Sequence, residues 1–232
     1  MNILAIETSS SLLSVAARRS DGVFAELNMD GGLRHAESLV CAIKHVFEML
    51  GLRKNDLSLI ACGLGPGSFT GLRIGLSTAK GLALGLKKKV VGVSSLDLIA
   101  QGISLGDGKL AVICDARRER IYSACYHFQN GIPRKTVKDS LFTFDQLIEN
   151  VDRNTIFVGD GVPIYQKAIQ MTLGRKVAFI KELFWRPKAS HILSWIGQAK
   201  GRLPFFPLNH LEPTYLRLSE AEERRQAWKK KS

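Results

Sequence analysis

Asn2-Ile3-Leu4-Ala5-Ile6 runs into Glu7-Thr8-Ser9-Ser10-Ser11, and Leu13-Ser14-Val15-Ala16-Ala17-Arg18 follows. An apolar run, a polar turn and a second apolar run at this spacing make two strands of a hairpin. Asp21-Gly22 turns the chain again and Val23 to Met29 supplies a third strand, so the first thirty residues read as a β-meander. From His35 the period becomes helical: Leu39, Val40, Ile43, Val46, Phe47 and Leu50 share one stripe, and Gly51 ends it. A strand from Leu57 to Cys62, a glycine-rich loop, a helix from Thr70 to Leu86 and a strand from Lys89 to Val93 complete the unit. Ser94 or Ser95 caps a short helix through Gln101, and residues 102–108 form a linker.

The same grammar restarts beyond the linker. Leu110 to Cys114 is an apolar strand closed by Asp115, as Glu7 closes the first. A basic turn, a strand from Ile121 to Phe128, the turn Asn130-Gly131 and a strand near Thr136 to Ser140 follow. A helix at Asp145 to Asn150, a strand at Thr155 to Val158 running into Gly159-Asp160-Gly161, a helix at Tyr165 to Leu173, a strand at Val177 to Ile180 and a helix at Ala189 to Lys200 come next. Strand, strand, strand, helix, strand, helix therefore occurs twice, which implies an internal structural duplication. This is the α/β pattern of the actin, sugar-kinase and Hsp70 fold: two lobes, here 1–104 and 105–232, each with a mixed sheet and flanking helices. In that fold the first turn of each lobe faces nucleotide phosphates, which makes Glu7, Thr8, Ser9 and Asp115 the nucleotide-facing candidates, vestigial or structural here.

Gly63-Leu64-Gly65-Pro66-Gly67-Ser68 lies between strand and helix but fits none of the common glycine-loop chemistries. A dinucleotide fingerprint needs glycine where Ser68 stands, a P-loop needs a lysine that Gly67-Ser68-Phe69-Thr70 lacks, and a nucleophile elbow needs glycines where Pro66 and Thr70 stand. What remains is a rigid turn, with Pro66 restricting φ, Gly67 permitting positive φ, and Ser68 or Thr70 capping the helix.

That helix carries two opposed faces. Leu72, Leu76, Ala79, Leu82, Ala83 and Leu86 form one; Ile74, Gly75, Thr78, Gly81 and Gly85 form a small-residue face, with Arg73, Ser77, Lys80 and Leu84 between them. Ser38, Ala42 and Met49 widen the apolar stripe of the preceding helix. The two helices are thus the expected partner interface, through Ser38, Ala42, Met49, Ile74, Gly75, Thr78, Gly81 and Gly85, and a Gly81→Leu or Ala79→Arg change is expected to block pairing in a folded monomer.

The 232 residues, 45% hydrophobic and 23% charged with mean hydropathy +0.01, are ordinary globular material. No stretch of about 20 apolar residues is available to span a bilayer, and Met1 to Arg19 lacks the basic start of a signal peptide. Cys41, Cys62, Cys114 and Cys125 sit apart in apolar surroundings without metal-ligand spacing and read as buried thiols of a reducing compartment. The 33 Lys and Arg against 21 Asp and Glu give a net charge of +12, with clusters at Lys87 to Lys89, at Arg117, Arg118 and Arg120, at Arg134, Lys135 and Lys138, and at Lys229 to Lys231. An anionic partner such as RNA and a merely solvated surface both account for that excess. Ser219 and Glu222 form a capping-box pair that predicts a short terminal helix.

Met1 to Ser9, His35-Ala36-Glu37-Ser38-Leu39, Gly63 to Gly75, Asp115-Ala116-Arg117 and Glu212-Pro213-Thr214-Tyr215-Leu216-Arg217 together resemble the bacterial TsaB (YeaZ) family across the whole chain. The resemblance implies a non-catalytic, cytoplasmic subunit in the synthesis of N6-threonylcarbamoyladenosine at position 37 of tRNAs reading codons that begin with A. It implies pairing with the catalytic paralogue TsaD through the first-lobe helices, a further ATPase partner, TsaE, a homodimer when alone, and tRNA met indirectly or through the basic surface. No cofactor and no metal are expected. The family's catalytic paralogue holds a metal with a His-x-x-x-His pair on its first helix; here His35 is followed by Leu39 at the second position, which leaves one imidazole where two are needed. The competing readings are a nucleotide-dependent kinase or hydrolase using Glu7 and Asp115 across a cleft and, more remotely, a metalloprotease, for which His-Glu-x-x-His is absent.

Overall fold

The computed structural model describes residues 1–30, 35–199 and 203–217. β1 (Ile3–Glu7), β2 (Leu12–Arg18) and β3 (Phe24–Asp30) form the meander, with Ile3 opposite Arg18 and Leu12 opposite Asp30. Helix α1 (His35–Leu50) crosses to β4 (Leu59–Gly63), parallel to β1, and α2 (Phe69–Leu86) leads to β5 (Lys89–Val93), parallel to β4. After α3 (Ser95–Gln101) the pattern repeats as β6 (Gly108–Asp115), β7 (Ile121–Gln129), β8 (Ile132–Phe142), α4 (Phe144–Ile148), β9 (Thr155–Val158) and α5 (Val162–Leu173). Helix α6 (Ala189–Gln198) and β10 (Phe205–Phe206) close the described chain. Among the described residues the sheets run β10-β5-β4-β1-β2-β3 and β8-β7-β6-β9. The shared order of a meander followed by one parallel strand on its first member is the duplicated actin-like architecture.

The helices cover the first sheet with most of the face that periodicity assigns. Val40, expected on the apolar stripe of α1, is instead 66% exposed, because it lies to the side of the stripe that Leu39 and Ile43 bury. Leu39, Ala42, Ile43 and Val46 of α1 and Leu76, Ala79 and Ala83 of α2 pack on Leu4, Ile6, Leu13 and Val15 in one core. The remaining face of the same sheet is covered from the far end of the sequence. Ala189, Ile192, Leu193 and Ile196 of α6 pack on Ile3, Ala5, Ala16, Leu59, Ala61 and Val91. Lys188 offers α6 no side-chain cap; instead Ser14 Oγ accepts from Ala189 N at 2.7 Å and a Glu26 carboxylate oxygen from Ser190 N at 2.8 Å. The helix start is satisfied by β2 and β3, which no local reading would find. Conversely, Leu96, Ile99 and Ala100 of α3 pack with Leu110, Val112, Ala124 and Phe128 of the second sheet. A division at 104/105 is therefore crossed by the structure: β10, from beyond the linker, pairs with β5 at the edge of the first sheet, and each sheet buries one face with a helix from the other side of the linker.

Several local expectations change. β8 extends to eleven residues and slips register against β7 near Ser123, Cys125 and Tyr126. Residues 177–180 make a single bridge, Phe157 to Phe179, with the two rings stacked 5.7 Å apart, instead of a ladder. Helix α5 begins three residues early, where Pro163 fits the first turn. Cys41 is exposed on α1 and Cys114 is half-buried, while burial raises the thiols of Cys62 to about 12 and Cys125 to about 11. Ser219 to Lys231 lie outside the described residues. No helix among the described residues is long and apolar enough to cross a membrane.

Ile192 is fully buried between α6 and the first sheet, so Ile192→Ala will lower unfolding free energy by about 2–5 kcal/mol in urea titrations. A loss below about 0.5 kcal/mol, the range of surface changes, would mean that α6 does not close this core.

Candidate functional site

The turn after β1 lies under the glycine loop. Glu7 is fully buried, its Oε1 accepting from Ser9 N at 2.5 Å and its Oε2 from the Ser95 hydroxyl at 3.3 Å. The Thr8 hydroxyl donates to the carbonyl of Gly71 at 2.8 Å, and Ser68 N donates to the carbonyl of Ser9 at 2.7 Å. A Cβ at Gly63 would overlap the Glu7 carboxylate, one at Gly67 the Ser9 carbonyl, one at Gly71 the Thr8 carbonyl and one at Gly75 the Thr8 hydroxyl. These glycines recur every four residues because β4, the loop and the first turns of α2 pass directly over Glu7-Thr8-Ser9. Positive φ falls at Gly65 (+92°), not at Gly67, whose requirement is close approach. Ser68 caps α2, accepting from Gly71 N at 3.2 Å. His35, buried at the start of α1, donates from Nε2 to the Ser10 carbonyl at 2.9 Å and braces the turn from the other side. Desolvation pushes the Glu7 carboxyl above its ordinary value of 4.5, against the lowering effect of its hydrogen bonds to Ser9, Ser95 and Thr8.

The corresponding turn of the second lobe is open. Asp115 Oδ1 accepts from Arg117 N at 2.8 Å, and Asp115 Oδ2 lies 3.1 Å from the Arg117 guanidinium. Asp160 accepts from Asp115 N at 3.0 Å, and partial desolvation of its carboxyl, reinforced by the Asp115 charge, raises its pKa against the lowering effect of that bond. A cleft of about 660 Å³ separates the turns, with Ser9, Ser10 and Phe69 on one wall and Asp115, Asp160 and Trp185 on the other. Ser9 and Asp115 therefore meet at one cleft, whereas Glu7 and Thr8 lie beneath its floor, turned into the glycine socket. A nucleotide-facing role for Glu7 and Thr8 does not match this burial. Among the described residues no group of three or more His, Cys, Asp or Glu side chains is arranged around a metal position.

The outward surface of α1 and α2 is the second candidate. Gly81 and Gly85 are exposed, and a Cβ at either would meet nothing within 4 Å. Leu84 (71%), Val40 (66%) and Met49 (61%) are the large apolar side chains exposed on these helices. Ser38, Ile74 and Thr78 are half-buried. Ala42, Gly75 and Ala79 are buried in the interior beneath this surface and offer a partner no contact. Sequence reasoning passed over Phe69, Arg73 and Tyr215 as a group. The rings of Phe69 and Tyr215 stack 4.2 Å apart beside the start of α2, although 146 positions of sequence separate them in numbering.

Two measurements test the socket. Gly63→Ala will destabilise the fold by about 3 kcal/mol, the upper range for overpacking, and an unchanged denaturation midpoint would contradict the packing over Glu7. Because the folded-state pKa of Glu7 is raised, its contribution to stability is complete below about pH 4.5 and is lost as pH rises through the folded value. Glu7→Gln keeps the shape without the charge, so its stability relative to wild type will increase between pH 4.5 and 7 in paired denaturation curves; a difference independent of pH would show that Glu7 titrates normally.

Residues 22–224 match the family model described as TsaD: tRNA N6-adenosine threonylcarbamoyltransferase. The chain is 33% identical over 225 residues to the tRNA threonylcarbamoyladenosine biosynthesis protein TsaB of Bacillus subtilis (strain 168), covering 96% of each. It is 37% identical over 135 residues to the protein of the same name from Escherichia coli (strain K12), covering 57% of this chain and 58% of that one. YeaZ from Pseudomonas aeruginosa superposes with a TM-score of 0.79 at 27% identity, covering 93% of this chain and 99% of that chain. A Pseudomonas aeruginosa protein described as similar to peptidase YeaZ superposes with a TM-score of 0.82 at 28% identity and the same coverage. With sequence similarity running nearly end to end and the same fold by superposition, the chain belongs to the TsaB (YeaZ) family.

Proposed function

We propose that this chain is a non-catalytic scaffold and activating subunit in the synthesis of N6-threonylcarbamoyladenosine at position 37 of tRNAs reading codons that begin with A. It acts by pairing with a TsaD-type transferase through α1 and α2. The observation that carries this reading is the 33% identity to Bacillus subtilis TsaB over 96% of both chains. The outer side of α2 supports the mode of action: exposed Leu84 lies between the bare backbone positions Gly81 and Gly85, where nothing stands within 4 Å, which suits close approach by another helix. The interior supports the non-catalytic part. Glu7 is enclosed and held by backbone and hydroxyl groups, and Leu39, at the position where the catalytic paralogue carries its second histidine, is a core residue with 1% exposure. In this reading a TsaE-type ATPase joins the pair, the same helical face supports self-association when the transferase is absent, and the chain works in the cytoplasm.

Size-exclusion chromatography with light scattering on this chain, alone and mixed with its own organism's TsaD, tests the pairing. A one-to-one species is expected, and Gly81→Leu will weaken it at least about tenfold without lowering the melting temperature, since nothing lies within 4 Å of the new Cβ and leucine favours the helix over glycine. Ala79→Arg is unsuitable as an interface probe, because Ala79 is fully buried and the variant will unfold. A Gly81→Leu chain that pairs normally would overturn the docking surface.

A further inference from the structure

We propose that Arg73, held at the edge of the stacked Phe69 and Tyr215 rings, is the charged anchor of the helical docking surface and receives a carboxylate of the TsaD-type partner; this rests on the docking reading above. The rings of Phe69 and Tyr215 are parallel within 4°, and the Arg73 guanidinium carbon lies 5.7 and 5.9 Å from their centroids. Arg73 Nε donates to the Tyr215 hydroxyl at 3.1 Å, which tethers the guanidinium to the returning tail. Tyr215 is brought there by the returning tail: Leu211 is fully buried in the first core and Thr214 N donates to the Leu64 carbonyl at 2.7 Å. A distant segment is therefore spent on orienting one exposed arginine.

Arg73 shares an outward stripe of α2 with Ser77 and Leu84, all three exposed, at helical spacings of four and seven residues. Helix α2 contains Arg73 and Lys80 but no acidic residue. No carboxylate among the described residues forms an ion pair with Arg73. The stripe thus offers a tethered cation and, about 16 Å further along the helix, an exposed leucine, which a partner helix lying along α2 meets with a carboxylate and an apolar side chain. Orienting an arginine in advance removes part of the rotamer entropy that binding would otherwise consume, and Arg and Tyr are the residue types in which interface energy concentrates. A nucleic-acid backbone answers the cation but leaves Leu84 without a partner, so a protein carboxylate is the better complement.

Isothermal titration of the TsaD-type partner into full-length variants at low and high ionic strength separates the possibilities. Arg73→Ala is expected to raise Kd about 10- to 100-fold at low salt, with the gap narrowing as salt rises. Arg73→Lys, which keeps the charge and loses the fork, will recover only part of the affinity. Tyr215→Phe, which keeps the stack and removes the hydroxyl, and Tyr215→Ala will weaken binding in that order with Arg73 intact. If Arg73→Ala binds like wild type at both salt levels while Gly81→Leu blocks pairing, the anchor is wrong and the docking surface stands. If Gly81→Leu also pairs normally, the docking reading itself fails. If Arg73→Ala leaves pairing intact and instead weakens tRNA binding by the pair, the ligand is phosphate and the proposal is overturned.

Discussion

Everything in the first lobe is arranged around the turn Glu7-Thr8-Ser9, a short polar segment buried where the apolar ends of β1 and β4 meet the start of α2. Buried polar backbone and a buried carboxyl are costly unless hydrogen-bonded. The chain meets that demand by bringing Ser68 N, Ser95 Oγ, the Gly71 carbonyl and His35 Nε2 onto the turn. So many groups reach it only because glycine occupies positions 63, 67, 71 and 75, where any side chain would collide with the turn. The positions of α1, β4 and α2 relative to β1 follow from this one packing constraint. So does the outward presentation of the opposite sides of both helices.

This arrangement has a functional consequence. A turn already filled by the chain's own loop is not available as a reaction centre, and the open part of the cleft retains Ser9 and Asp115 without Glu7 or Thr8. On the proposed reading the first lobe acts through its shape, at the outer face of α1 and α2. The tail reinforces that emphasis by folding back along the sheet edge at β10, burying Leu211 and setting Tyr215 against Phe69.

Much of the fold is legible in the sequence because it rests on local periodicity. Alternation and polar turns locate β1 to β3, the 3.6-residue stripe of Leu39, Val46 and Leu50 locates α1, and the recurrence of an acid at Glu7 and Asp115 exposes the duplication. What escapes is whatever depends on distant partners. The capping of α6 by Ser14 and Glu26, the exchange of α3 and α6 between the sheets and the Phe69–Tyr215 stack leave no mark within any short window. Gly75 reads from helical spacing alone as part of the small-residue face with Gly81 and Gly85, because the Thr8 hydroxyl it packs against comes from a distant part of the sequence. The same limit applies to Ala42, whose size suits an interface and a core equally until the neighbouring sheet is known.

The claim that this chain acts by presenting its helices, not by chemistry in its cleft, is most directly tested by hydroxyl-radical footprinting of the chain alone and in equimolar mixture with its TsaD-type partner, read by mass spectrometry. Met49 and Leu84, 61% and 71% exposed, should be shielded in the mixture, whereas Met171 of α5, 87% exposed on the other lobe, should be modified as in the free chain. Unchanged modification of Met49 and Leu84 alongside shielding of Met171 or of the cleft residue Trp185 would contradict the account.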